Sequence, residues 1–422
     1  MRRSLVIALV VLLVAASPTV ADPGDLDRSF SEDGIATAFA SGSIATAVAV
    51  DPAGRIIVAG YTLTGGVDVA IARFLPDGSR DSAFGGGDGR VRIDVGASDY
   101  GMDIVTLSDG GVAVAGVSIG ARSERDLPFV VRVGPRGARS GSFGSVGVVI
   151  VDFERPSQAA SAIAVTPRGR LVVGGFASNG TTTRSAVARL LPDGRRDRSF
   201  AGDGRLLIDL SDGSEAVHDL LVLQDGRIVL AGEADVGVQP RFLLARLLGS
   251  GERDTTFGLS NGMTRTDVAP GADVALALTR QADGKYVLAG RAANSGRQDW
   301  GVARYGIRGR PDDTFVGGGA RVIRFTDATE EATDVIAQGR RLLVVGRAHG
   351  AGTLDLAVAR LKSGGALDPT FGAGDGLVTI DVVDATDAAR AVALQENGRI
   401  VVAGESWVER TPRFLVVRMR AA

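Results

Sequence analysis

From about residue 30 to the C-terminus, short apolar runs alternate with punctuation rich in Gly and Asp, and none of the runs keeps a helical period of 3.6. "TAVAV" (46–50) alternates small and branched apolar residues, "RIIVAG" (55–60) follows a glycine turn, "VAIARF" (69–74) follows a variable loop, and "RVRID" (90–94) follows "LPDGSRDSAFGGGDG". Each run has the length and composition of a β-strand. The Asp-Gly pairs at 77–78, 193–194, 225–226 and 283–284 read as two-residue hairpin turns. Four short antiparallel strands are therefore expected in about 57 residues, too few to bury a core alone.

The unit recurs. A Phe after an acidic turn stands at 30, 84, 143, 200, 257, 315 and 371. A Gly closing the phrase "DGRIVLAG" stands at 60, 116, 175, 232, 290, 346 and 404, and an Arg in a "VAR"-like run stands at 73, 132, 189, 246, 304, 360 and 418. Three landmarks in fixed order, seven times over, predict an all-β, seven-bladed β-propeller of four-stranded antiparallel blades. In phase, the chain opens on a fourth-type strand, "GIATAFA" (34–40), and ends on a third-type strand, "FLVVRMR" (414–420). Pairing those two would close the ring and cover its exposed edges.

The unit "LDPTFGAGDGLVTIDVV…ARAVALQENGRIVVAGES…PRFLVVRMR" resembles the delta-60 repeat, a module of bacterial secreted and surface proteins. The likeness covers about residues 25–420 and implies a propeller-like fold without implying a catalytic motif. Departures are Gly110-Gly111 for Gly-Arg in the second unit, Ser140 for the turn Asp in the third, and an inserted Arg in "GRRLLVVG".

Composition narrows the function classes. Net charge is −2 and the basic residues, nearly all Arg, are scattered, so no nucleic-acid footprint exists. "MRR", the apolar run "SLVIALVVLLVAA" and small residues Thr19 and Ala21 read as a signal peptide over 1–21, leaving 22–422 as one propeller that is secreted or periplasmic. The apolar run is too short to span a bilayer, and no later stretch in the mature chain is a transmembrane segment. The chain has no Cys, so packing alone must hold it together outside the cytoplasm.

The buried chemistry suggests structure first. The recurrent Arg and the turn Asp (27, 81, 197, 254, 312 and 368) are expected to pair, since a lone buried Arg is very costly. The recurrent Phe residues, and Trp300, read as core. On the inner strands, Asp103, His218, Asp219, Asp334 and Arg390 are expected to line the central channel, with His218 and Asp219 pointing to opposite faces. Trp407 reads as a loop residue and a contact candidate. The loops "VSIGARSERDLP", "EADVGVQPR", "RAANSGRQD" and "ESWVERTPR" fall on one variable face. Fourth-strand ends at Asp94, Asp152, Asp209, Asp267 and Asp381, with Phe39 and Phe325 in the other two units, make that face acidic, helped by Asp212, Glu215, Asp327, Glu330, Glu331, Asp384 and Asp387. No EF-hand or glycine-aspartate nonapeptide is present, so Ca²⁺ binding is only weakly indicated, and no cofactor is called for. No G-x-S-x-G, H-E-x-x-H or Walker sequence occurs. The chain therefore reads as a monomeric binding or structural scaffold for a protein or surface ligand. A hydrolase or lyase using carboxylates at the channel mouth is the alternative.

Overall fold

The computed structural model describes residues 22–39, 41–120, 125–211, 213–237, 239–294, 296–350, 352–383 and 385–421. The expected signal peptide lies outside them. Among the described residues, twenty-eight strands form seven four-stranded antiparallel sheets, one per blade. Blade 1 runs from the strand Ser43–Val50 to Arg90–Ile93, and blade 2 from Ser98–Thr106 to Val148–Ile150. Blade 3 runs from Ser157–Val165 to Arg205–Ile208, and blade 4 from Glu215–Val222 to Met263–Thr266. Blade 5 runs from Asp273–Arg280 to Ala320–Ile323, and blade 6 from Glu331–Gln338 to Leu377–Ile380. Blade 7 is made of Asp387–Leu394, Ile400–Val408, Thr411–Met419 and, from the other end of the chain, Ile35–Thr37.

The closure is as expected, but the N-terminal strand is shorter than 34–40. Only Ile35, Ala36 and Thr37 pair, opposite Val417, Val416 and Leu415. Arg418 Nη1 also donates to the Pro76 carbonyl of blade 1, and Gln395 Nε2 to that of Gly54 (2.9 Å), so side chains as well as the ladder join blade 7 to blade 1.

Sheet packing follows the repeat. Each recurrent Phe is fully or almost fully buried between its own blade and the next: Phe200 lies among Val172 and Val187 of blade 3 and Val217 and Ile228 of blade 4. Burying such a side chain contributes about 2 kcal/mol. Trp300 is also core, and its indole N–H donates to the Arg347 carbonyl of the next blade (3.1 Å).

The recurrent Arg does more than pair. Arg73, Arg189, Arg246, Arg304, Arg360 and Arg418 are buried, and each meets the turn Asp of its unit at 2.7–3.0 Å. Each also stacks over the recurrent Phe, with Arg246 4.1 Å from the Phe257 centroid. The outer end of the guanidinium then crosses to a backbone carbonyl in the following blade, as Arg73 does to Pro135 (2.6 Å) and Arg189 to Gly249 (2.5 Å). The cation of the "DGR" phrase reaches the same aspartate from outside: Arg170 to Asp197 (3.2 Å), Arg227 to Asp254 (3.6 Å), Lys285 to Asp312 (3.0 Å). Burial alone would raise the Asp312 carboxyl. Hydrogen bonds from Thr314 and Lys285 and the charge of Arg304 outweigh it and hold that group at about 2.

Blade 2 departs from this scheme in a compensated way. Gly111 replaces the outer cation and Ser140 the Asp, and both belong to this one blade rather than to successive units. Arg132 pairs instead with Asp109 of the first turn (2.6 Å) and still crosses to Pro192 of blade 3 (2.6 Å).

Three expectations about local structure need correction. The Asp-Gly turns are not two-residue loops with two left-handed residues. In blade 4, Gly226 N–H donates to Leu223 O (2.9 Å) and Leu223 N–H to Arg227 O (2.8 Å), and only Gly226 has positive φ (+85°), which is a type I turn closed by a left-handed glycine. The same bonds recur in six blades; blade 6 is one residue shorter there, not longer, with a two-residue Gly339-Arg340 loop between Gln338 and Arg341. Third, the phrase glycine is not where the strand ends. In blade 4 the second strand continues to Val236.

Opposite each phrase glycine the first strand carries a β-bulge, at Thr46, Met102, Ser161, His218, Leu276, Thr333 and Arg390. The bulge presses a carbonyl onto the glycine. A Cβ at Gly232 would lie 1.9 Å from Ala216 O, and the other six phrase glycines face their partners at 1.9–2.0 Å. The glycine is required by this close approach, since its own φ is not positive.

Candidate functional site

The inner strands bring three of the anticipated residues together. The residue after the bulge is, from blade 1 to blade 7, Ala47, Asp103, Ala162, Asp219, Ala277, Asp334 and Ala391. Small and acidic residues thus alternate from blade 1 to blade 7, and two alanines, Ala391 and Ala47, meet where the ring closes. Each Asp uses both oxygens on backbone N–H groups. Asp103 accepts from Ile104 (2.7 Å) and from Ile163 of blade 3 (2.7 Å). Asp219 accepts from Leu220 (2.6 Å) and Leu278 of blade 5 (2.6 Å), and Asp334 from Val335 (2.7 Å) and Val392 of blade 7 (2.7 Å). The three aspartates are half-buried on the inner strands. They act as pegs between neighbouring inner strands.

Burial pushes Asp103 up to about 6 and Asp334 to about 7, and the backbone hydrogen bonds pull them back only in part. Burial, reinforced by the charges of Asp103 and Asp334, holds Asp219 well above the usual carboxylate range. Asp273, at the start of the blade 5 inner strand, is raised to about 6, also by burial. A carboxyl whose pKa is raised on folding contributes stability that is complete below its unfolded pKa of about 4 and is lost as pH climbs through the folded value. Asp312 and the other lowered turn aspartates do the opposite, losing their contribution as pH falls below about 4. The melting temperature should therefore be highest near about pH 4 and decline between about pH 4 and 7, with a shallower decline in Asp219→Asn. Melting curves across that range that stay flat in the native protein would refute this.

The other channel candidates turn away from the three carboxylates. His218 and Arg390 are the bulged residues, and each faces an acid on its own second strand: His218 Nε2 lies 3.5 Å from Glu233, and Arg390 Nη2 donates to Glu405 (2.7 Å). His218 and Asp219 do diverge, and the bulge is what gives them separate partners. Trp407 is not in a loop. It is half-buried in the strand Ile400–Val408, opposite Pro412, and its backbone N–H donates to Thr386 O (2.8 Å).

The variable face is built less from long loops than expected. The second and third strands of blades 4, 5 and 7 run to Val236 and from Gln239, to Asn294 and from Arg297, and to Val408 and from Thr411. In blade 7 sequence reading missed this because the hairpin tip has no glycine: Glu409 and Arg410 take the two left-handed positions (φ 50° and 64°). The acids of this face are not one ring either. Glu330 folds back to accept from Phe325 (2.9 Å) and Thr326 (2.7 Å), and Asp387 accepts from Val382 (2.7 Å), each closing its own connection. The blade 5 position equivalent to Asp94 holds Arg324, not Phe325, by register. Asp212 and Asp384 lie outside the described residues.

The opposite face carries several grooves. One of 790 Å³ lies between blades 4 and 5, lined by the first turns of both blades with Arg246 and Tyr286. Similar grooves of 640 Å³ and 390 Å³ lie between blades 5 and 6 and between blades 3 and 4. Since the same turns line all three, they follow from the repeat.

Five segments, 52–84, 167–200, 223–257, 281–315 and 340–371, match the family model described as a domain of unknown function (DUF5122) beta-propeller. They fall in blades 1, 3, 4, 5 and 6, and each runs from the first turn to the recurrent Phe. Blade 2, with its rearranged charges, and blade 7, divided between the chain ends, are the two without a match. No curated protein sequence matches the chain. Its fold is similar to that of a catalytically inactive virginiamycin B lyase from Staphylococcus aureus with quinupristin, at TM-score 0.51 and 11% identity over 90% of this chain and 97% of that one. It is similar also to Sqt1 from Chaetomium thermophilum, at TM-score 0.50 and 13% identity over 92% and 99%. Among the described residues no helix is long and apolar enough to cross a membrane.

Proposed function

We propose that this propeller is an exported binding scaffold that engages a protein or surface ligand through its variable face. The observation that carries this reading is where the sevenfold likeness stops. One face repeats the same hydrogen-bonded turn in six blades. On the other, the hairpin tips differ in length and sequence and present the exposed apolar residues Leu63, Ile119 and Val236. Binding residues are commonly held on such connections by a rigid frame. The delta-60 likeness of the repeat, and its association with secreted and surface proteins, agrees with export.

A second reading, a hydrolase or lyase working at the axis, draws on the raised carboxyls Asp103, Asp219 and Asp334. Against it, each of the six oxygens already accepts a backbone hydrogen bond that ties neighbouring inner strands or its own strand, a structural use of these groups. The two readings separate by photo-crosslinking. A crosslinker placed at Ile119 or Val236 should capture a partner on the surface of the producing cells, and one at Ile307, which is exposed on the turn face, should not. Capture from Ile307 alone, or from no position, would sink the variable-face reading.

A further inference from the structure

At each junction between blades on the variable face, three positions meet: the opening of one third strand, the residue after the fourth strand, and the start of the next inner strand. At three junctions an arginine sits among the acids. Arg184 lies 3.4 Å from Glu215 and 3.6 Å from Asp209, Arg241 lies 3.3 Å from Asp267, and Arg324 lies 2.9 Å from Asp299. Between blades 1 and 2 all three positions are aspartates: Asp68, Asp94 and Asp99. One carboxylate oxygen from each lies within 4.8 Å of the others.

Asp99 is fully buried. Its Oδ2 accepts from Val95 (2.6 Å) and Gly96 (2.9 Å), while Oδ1 has no hydrogen-bond partner. An ionised carboxylate oxygen in that position is costly unless something positive meets it. Among the described residues the cation paired here is Arg92, held by Asp68 and by the carbonyls of Thr64 (3.0 Å) and Gly65 (3.0 Å). Three carboxylates and one guanidinium leave two negative charges. The geometry points to a divalent metal site, and we infer that Asp68, Asp94 and Asp99 bind one Ca²⁺ ion. Hard oxygen donors, flexible spacing and an exposed Asp94 that leaves room for water suit Ca²⁺ better than the strict octahedron of Mg²⁺. The ion would take the place that arginine fills at those three junctions and would tie blade 1 to blade 2.

The junction between blades 6 and 7 supplies an internal comparison. It also places three aspartates at these positions, Asp355, Asp381 and Asp387, yet among the described residues only the first trio gathers its oxygens within 4.8 Å. One ion per chain is therefore expected. Titration of Ca²⁺ into chelator-treated protein by calorimetry, with a parallel melting curve, tests this. The native chain should take up one equivalent with a dissociation constant in the range of about 10⁻⁵ to 10⁻³ M and melt at a higher temperature when loaded. Asp94→Asn should weaken binding at least about tenfold and lose the Ca²⁺-dependent shift, while melting like the native chain without metal. Asp381→Asn should bind normally. Absence of binding in the native chain, binding untouched by Asp94→Asn, or loss through Asp381→Asn would each overturn the assignment.

Discussion

Gly232→Ala is expected to destabilise the protein by more than about 3 kcal/mol, although it adds a single methyl group. The new Cβ would sit 1.9 Å from Ala216 O, a backbone atom in a bulged strand packed on both sides, so neither partner can withdraw without breaking the ladder. Gly226 offers the control. It has positive φ (+85°) and nothing within 4 Å of a Cβ, so Gly226→Ala costs only the left-handed conformation, about 1 kcal/mol. Denaturation midpoints for the two variants separate close approach from backbone conformation. If Gly226→Ala proves the more damaging, the bulge is not what selects glycine in the phrase.

The second large effect concerns the buried charges. Asp254→Ser leaves Arg246 buried without its carboxylate and should cost about 3–5 kcal/mol. Blade 2 shows how the protein tolerates the same loss. There the outer cation is missing too, and Asp109 is free to reach Arg132. In blade 4 the matching residue, Asp225, is held by Arg227 at 2.6 Å. Removing that cation in Arg227→Gly/Asp254→Ser should release Asp225 to Arg246. The double variant should therefore recover about 1 kcal/mol or more over Asp254→Ser, a coupling opposite in sign to simple accumulation of damage. Additive losses in urea denaturation would show that the blade 2 arrangement is not transferable.

Much of this fold was legible in the sequence because the repeat is redundant. Seven copies of Phe, Gly and Arg fixed blade number, phase and closure, and the Arg–Asp pairing followed from the expense of a lone buried cation. Less could be read where one residue changes register. The bulges leave no uniform composition signal, since Thr46, Met102, His218 and Arg390 share nothing but position, and so the separate partners of His218 and Asp219 had to be seen. Trp407 was misplaced because Glu409 and Arg410 make a tight turn without glycine. The Asp68–Asp94–Asp99 cluster was half visible. Asp94 stood out as a strand end, but its neighbours come from a preceding hairpin and from the next blade, and only register places them together.

The closure of blade 7 has a consequence for the order of assembly. Residues 35–37 are among the first of the propeller to be made, and the strand that receives them, Thr411–Met419, is the last. Blade 1 rests on blade 7 through the hydrogen bonds to Pro76 and Gly54, so every blade can form in sequence except the one that seals the circle. An emerging chain consequently stays an open arc until the strand Thr411–Met419 is delivered. Bringing its ends together requires the longest-range contact the polypeptide contains, so ring closure should come last and govern when folding is complete.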